Sequence, residues 1–122
     1  MVRGSELGIT IHGIRNCDTI KKARAWLDAN GIAHDFHDYK ISGIEPEKLQ
    51  SWVRSAGWEA VLNRSGTTFR KLPEDRKQDL DAARAMALMQ AEPSMIRRPV
   101  LTRGNLLVIG FDPARYTKAL LG

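Results

Sequence analysis

Between Ile9 and Lys40 the hydrophobic period changes twice, and this constrains the fold more than any other feature of the chain. Leu7, Ile9 and Ile11 alternate with small or polar residues, the period-2 pattern of a half-buried strand that ends near His12. After a loop carrying Gly13, Ile20, Ala23 and Leu27 recur at helical spacing on one face. Asp18 or Thr19 is placed to cap that helix, and Asn30-Gly31 supplies its stop. HDFHDYK then reads as a second strand. Two strands joined through a crossover helix pair in parallel with a right-handed connection, so a β-α-β unit is expected.

The pattern then turns helical. Pro46 opens PEKLQSWVRSAG, with Leu49, Trp52 and Val53 on its inward side and Gly57 at its end. VLNRSGTTFRKL is polar and turn-rich, and a longer helix is predicted from about Glu74 to Gln90 with Leu80, Ala83 and Ala87 facing inward. RRPVLTRGNLLVIGF has two β-prone runs around Thr-Arg-Gly-Asn, a hairpin, and a closing helix follows from Pro113 to Leu121. The order is β-α-β, helical insert, β-β-α, an α/β chain with a mixed sheet. At 122 residues it supports one core rather than two. The expected organisation is a single domain over 1–122, with the sheet-bearing core from 7–45 and 92–122, the helical insert at 46–91, and residues 1–6 disordered.

Composition narrows the function classes. No apolar run approaches the roughly eighteen residues that cross a bilayer, and MVRGSELG lacks the apolar centre of a signal peptide, so a cytoplasmic protein is expected. With one cysteine there is no intramolecular disulfide, and His12, His34 and His37 form no helical i, i+4 pair, so no metal site is expected. The net charge of +5 is spread through mixed segments such as KISGIEPEK and LPEDRKQDLD rather than gathered in a basic run, which argues for solvated helix faces and a small anion site over direct nucleic-acid binding. Trp26, Trp52 and Trp58, like Met86 and Met89, are read as core or rim packing.

The single cysteine, Cys17, falls where the first strand gives way to the helix. Two readings stand: a small buried hydrophobe, or a reactive thiol. Free cysteine titrates near pH 8.5, so only about 3% is thiolate at pH 7 and a nucleophile needs activation. A helix N-terminus contributes roughly 0.3–1 kcal/mol, occasionally about 2, or about one pKa unit. Arg15 and Lys21, the latter one helical turn on, can add positive potential, while Asp18 opposes them. The polar flank of Asn16, Asp18 and Thr19 favours the functional reading.

Taken in order, GIRNCDTIKKARAWLDANGI, DFHDYKISGI, VLNRSGTTFRKL, PSMIRRPVL and LVIGF resemble the ArsC-like family of glutaredoxin-coupled arsenate reductases, Spx regulators and YffB-type proteins, with the last the nearest match. The resemblance runs from about residue 7 to 121. It implies a thioredoxin-like fold interrupted by a helical insert, a catalytic thiol at Cys17, and Arg64 and Arg98 facing that thiol as anion or glutathione ligands beside Lys21 and Arg15. It also implies a cis bond before Pro99, with Asn16 and Thr19 as local framework. Two arginine forks suit carboxylate or arsenate oxygens; Arg97 is read as a surface residue.

Two departures matter. The family's arsenate reductases carry a histidine four residues before the cysteine and a Cys-Gly-Thr-Ser-Arg loop, whereas here Gly13 holds the first place and Asp18, Ile20 and Lys21 replace the glycine, serine and arginine. Spx regulators that sense disulfide stress carry a second cysteine where this chain has Ile20. The resemblance therefore implies a monothiol reductase, with glutathione as co-substrate rather than a bound cofactor, glutaredoxin as a further partner, and a monomeric state. The alternatives are an Spx-like module acting on RNA polymerase, and an arsenate reductase.

Overall fold

The computed structural model describes residues 8–121. The expectations for residues 1–6 and for Leu7 lie outside that range. Strand β1, Ile9–Gly13, leads to a 12-residue helix α1, Asp18–Ala29, and then to β2, Asp35–Asp38. β1 and β2 pair in parallel, Ile11 opposite Phe36 and Gly13 opposite Asp38. Strands β3, Val100–Arg103, and β4, Leu106–Ile109, form the hairpin around Gly104, whose φ of 57° suits a glycine. β3 runs antiparallel to β1, so the sheet order is β2, β1, β3, β4. This mixed sheet, with α1 in the crossover and a helix after the hairpin, is the thioredoxin-like α/β arrangement that the resemblance implied.

Alternation along β1 decides what lies on each face. Ile9 and Ile11 point into a core with Ile20, Ala23 and Leu27 of α1, Leu101, Val108 and Tyr116. Gly13 is next in that alternation, and a Cβ there would meet Ile20 of α1 at 2.2 Å. The closing helix covers only Pro113–Tyr116 before a wider π turn over Thr117–Leu121. Tyr116 seats it between Trp26 and Phe111, with ring centroids 5.6 and 4.9 Å away.

By packing, the chain divides into two compact units: the residues up to Tyr39 together with those from Arg98 on, and Lys40–Arg97. The second unit starts within a single helical turn, α2, Tyr39–Ser42, and so before residue 46. It ends after residue 91 because 92–97 bond to it: Leu62 and Ile96 form a β-bridge, the Arg97 amide donates to Val61, and Asn63 donates to Met95. Helix α3, Pro46–Ala56, buries Leu49, Trp52 and Val53 and stops at Gly57, whose φ is 88°. Short helix α4, Trp58–Val61, follows directly, and α5, Thr67–Arg70, lies within the polar segment expected to be turns.

The long helix expected over Glu74–Gln90 is two helices, α6, Glu74–Lys77, and α7, Ala82–Ala91. Asp79 adopts a left-handed φ of 55°, and Asp81 caps α7 by accepting from the Arg84 amide. Restarting the helix moves its inward face to Ala85, Leu88 and Met89, while Ala83 and Ala87 are exposed and Leu80 is half-buried. Leucine and methionine offer more apolar area than alanine and take the covered positions. Among the described residues no helix is long and apolar enough to cross a membrane.

Candidate active site

Cys17 is itself the N-cap of α1. Its backbone is extended (φ −99°, ψ 129°), its carbonyl accepts from the Lys21 amide at 3.0 Å, and no side chain caps the helix. This corrects the expectation that Asp18 or Thr19 would cap: Asp18 is the first helical residue, and both are exposed. Cys17 thus holds the chain position where a serine or aspartate would cap the first-turn amides, and its own side chain makes no such bond. Cys17 is half-buried and packs on the edge of the core.

Three residues connect Gly13 to Cys17, and the last, Asn16, has a φ of 66°, a conformation asparagine tolerates better than most. This turn is held from the neighbouring strand. Asp38, at the end of β2 opposite Gly13, accepts the Arg15 backbone N–H at 3.1 Å through Oδ2 and is only 8% exposed. The Arg15 and Lys21 side chains are exposed.

Next along the chain, Tyr39 is fully buried. Burial pushes its phenol well above the usual tyrosine range, Arg98 pulls it back, and Cys17 and Asp38 push it further. Arg98, Cys17 and Asp38 are therefore all near enough to act on one neutral phenol, and they gather at the ends of β1 and β2. The Arg98–Pro99 peptide bond is cis, Arg98 is half-buried, and the buried Pro99 carbonyl accepts from the Gly110 amide at 2.8 Å. On the other face of β1, His12 is buried, with Nε2 3.0 Å from Thr102 Oγ1 and its ring 5.5 Å from that of His37.

Arg64 belongs to the helical unit, where it is exposed and its guanidinium carbon lies 5.5 Å from the centre of the Trp58 ring. Arg97 donates through Nε to the Ala60 carbonyl at 3.0 Å. Asp38 and Tyr39 were not singled out from sequence. The available signal was the Asp-Tyr pair closing a strand of a parallel pair, because groups at the carboxyl ends of such strands share one edge of the sheet.

The model of the ArsC family matches residues 12–119. The chain belongs to the ArsC family. Among solved structures it is similar to the YFFB (PA3664) protein, with 55% identity, a TM-score of 0.89, and coverage of 92% of this chain and 98% of that one. It is also similar to an arsenate reductase (ArsC) related protein from Brucella melitensis, with 54% identity, a TM-score of 0.75, and coverage of 91% and 92%. Over 106 residues it is 29% identical to the global transcriptional regulator Spx of Streptococcus agalactiae serotype V, covering 85% of this chain and 77% of that protein. ArsC-family membership brings arsenate reductase-like and regulatory relatives together on one fold.

Proposed function

We propose that this ArsC-family protein is a glutathione-dependent monothiol reductase with Cys17 as its nucleophile. The observation that carries the reading is the position of Cys17 at the uncapped start of a 12-residue helix. There the helix dipole and free amides favour a thiolate. In the reaction, the Cys17 thiolate attacks the glutathione sulfur of a glutathionylated substrate. The S–S bond breaks, the substrate leaves as a thiolate that takes up a proton, and Cys17 carries the glutathione as a mixed disulfide. A second glutathione thiolate attacks that bond, releasing oxidised glutathione and restoring Cys17. One substrate mixed disulfide is reduced and one free glutathione is oxidised, joining the glutathione that the substrate carried in the released disulfide. Arg98, with Arg15, Lys21 and Arg64, would bind the glutathione carboxylates. Glutaredoxin would serve as an alternative resolving thiol in a reducing, cytoplasmic compartment.

The likeness to Spx supports a second reading, a non-catalytic module that binds RNA polymerase. Alkylation of Cys17 against pH separates the two: the reductase reading requires a midpoint below that of a free thiol, and one at or above it leaves the binding module. Glutathione titration followed by amide NMR should move resonances around Cys17 and Arg98, and Arg64→Ala should weaken the binding with the fold intact. Equal affinity in that variant would remove Arg64 from the site.

A further inference from the structure

We propose that Asp38 is a positioning residue for the Cys17 thiol. Its carboxylate holds the Arg15 amide and, through it, the turn that presents the sulfur to the first turn of α1. The inference rests on the reading of Cys17 as a nucleophile and adds a residue to that site.

The parallel register is its foundation. Gly13 ends β1 directly opposite Asp38, which ends β2. The chain leaving Gly13 must turn within three residues to reach Cys17, the N-cap of α1, and residues in such a turn lack ladder partners for their amides. A side chain at the end of the adjacent parallel strand is level with that turn, and the Asp38 carboxylate spans the remaining gap to the Arg15 nitrogen. Two residues later the Cys17 carbonyl is fixed by Lys21. The segment that sets the sulfur position is thus held on both sides, with the left-handed Asn16 between the two anchors.

The choice of a carboxylate has a cost at this site. Asp38 is an acidic residue bonded to the turn two residues before Cys17, and a negative charge beside a thiol in general disfavours its ionised form. A residue present only for electrostatics would be a cation. An acceptor that disfavours the thiolate yet fixes the turn fits a geometric role, and a charge-assisted N–H···carboxylate bond is among the stronger ways to hold a single amide.

The role is separable from charge. Asp38→Asn and Asp38→Ala both remove the negative charge, but asparagine keeps an oxygen that can accept the Arg15 N–H. Cys17 alkylation, measured at one neutral pH, should be at least as fast in Asp38→Asn as in the wild type and about tenfold slower in Asp38→Ala than in Asp38→Asn. Amide hydrogen exchange at Arg15 should be protected in the wild type and in Asp38→Asn, and should lose that protection in Asp38→Ala. Equal alkylation rates in the two variants, or an Arg15 amide that exchanges in the wild type as fast as in an unstructured peptide, would overturn the proposal. If the alanine variant does not fold, Arg15 exchange in the wild type and in Asp38→Asn decides alone. If wild-type Cys17 proves no more reactive than a free thiol while Arg15 is protected, the reductase reading falls and the anchored turn stands.

Discussion

Replacing Gly13 by alanine tests why Gly13 and Ile20 occur together in this chain. A Cβ at position 13 would stand 2.2 Å from Ile20 Cδ1 and 2.9 Å from its Cγ1. Ile20 is 3% exposed and packed with Ile9, Ile11, Ala23 and Leu27, so it has little room to swing away. Overpacking of one methyl group costs about 1–3 kcal/mol. Gly13 has no positive φ, so alanine also gains about 0.4–1 kcal/mol from a less flexible unfolded chain, which leaves a net loss of about 1.3 kcal/mol at the middle of the two ranges. Ile20→Val deletes the nearest carbon and by itself costs about 0.5–1.5 kcal/mol. Urea denaturation of the wild type, both single variants and the double variant, followed by tryptophan fluorescence, completes the cycle. Gly13→Ala should cost about 1 kcal/mol less in the Ile20→Val background than alone. An unchanged or raised midpoint for Gly13→Ala, or strict additivity in the cycle, would refute the argument. On the same geometry Gly13→His, which restores the family's histidine, should destabilise the core further without conferring arsenate reduction.

Other outcomes follow from the same structure. Arg98→Ala should slow Cys17 alkylation at neutral pH by about tenfold, while Arg98→Lys should keep most of the rate yet bind glutathione less well, since lysine has charge but no planar fork; an unchanged rate in the alanine variant would remove Arg98 from the site. Burial raises the phenols of both Tyr39 and Tyr116, so the native state keeps protons that the unfolded chain releases above about pH 10. Stability should be intact below that pH and fall above it by up to about 1.4 kcal/mol per pH unit for each tyrosine, Tyr39→Phe should reduce the slope, and a urea midpoint constant between pH 9 and 11 would contradict this. Among the described residues the buried Tyr116 hydroxyl has no hydrogen-bond partner, so Tyr116→Phe should be neutral or slightly stabilising in urea, and a loss above about 1 kcal/mol would reveal a bond there.

The strands were legible because a sheet imposes a period of two and the turns carry their own chemistry. Ile9 and Ile11 alternate in β1, and Gly104 marks the hairpin. The Glu74–Gln90 stretch was not legible. Glu74 and Asp75 already resemble an acidic first turn, which hides the cap formed six residues later by Asp81. The choice between one helix and two rests on the backbone at Asp79, and aspartate adopts both the right-handed and left-handed conformations. Alanines at 83 and 87 satisfied the helical period as well as Ala85 and Leu88 did, so only burial separated the faces.

The site divides along the same line. Cys17 could be found because a strand-to-helix junction is local in sequence, and the thiol needed no distant partner to stand out. Asp38 could not, since its part depends on the register that sets it opposite Gly13, and one residue of slip would turn its side chain to the other face. Ile20 joins the two kinds of information. Read along the chain it replaces the second cysteine of the Spx pattern; in the fold it fills the space above Gly13, where the arsenate reductases carry histidine. One isoleucine therefore bears on both Gly13 and the missing second cysteine, while Asp18 and Lys21 stand apart from it. It leaves Cys17 as the chain's single thiol, and any disulfide that Cys17 forms is intermolecular and must be resolved by a thiol from outside the chain.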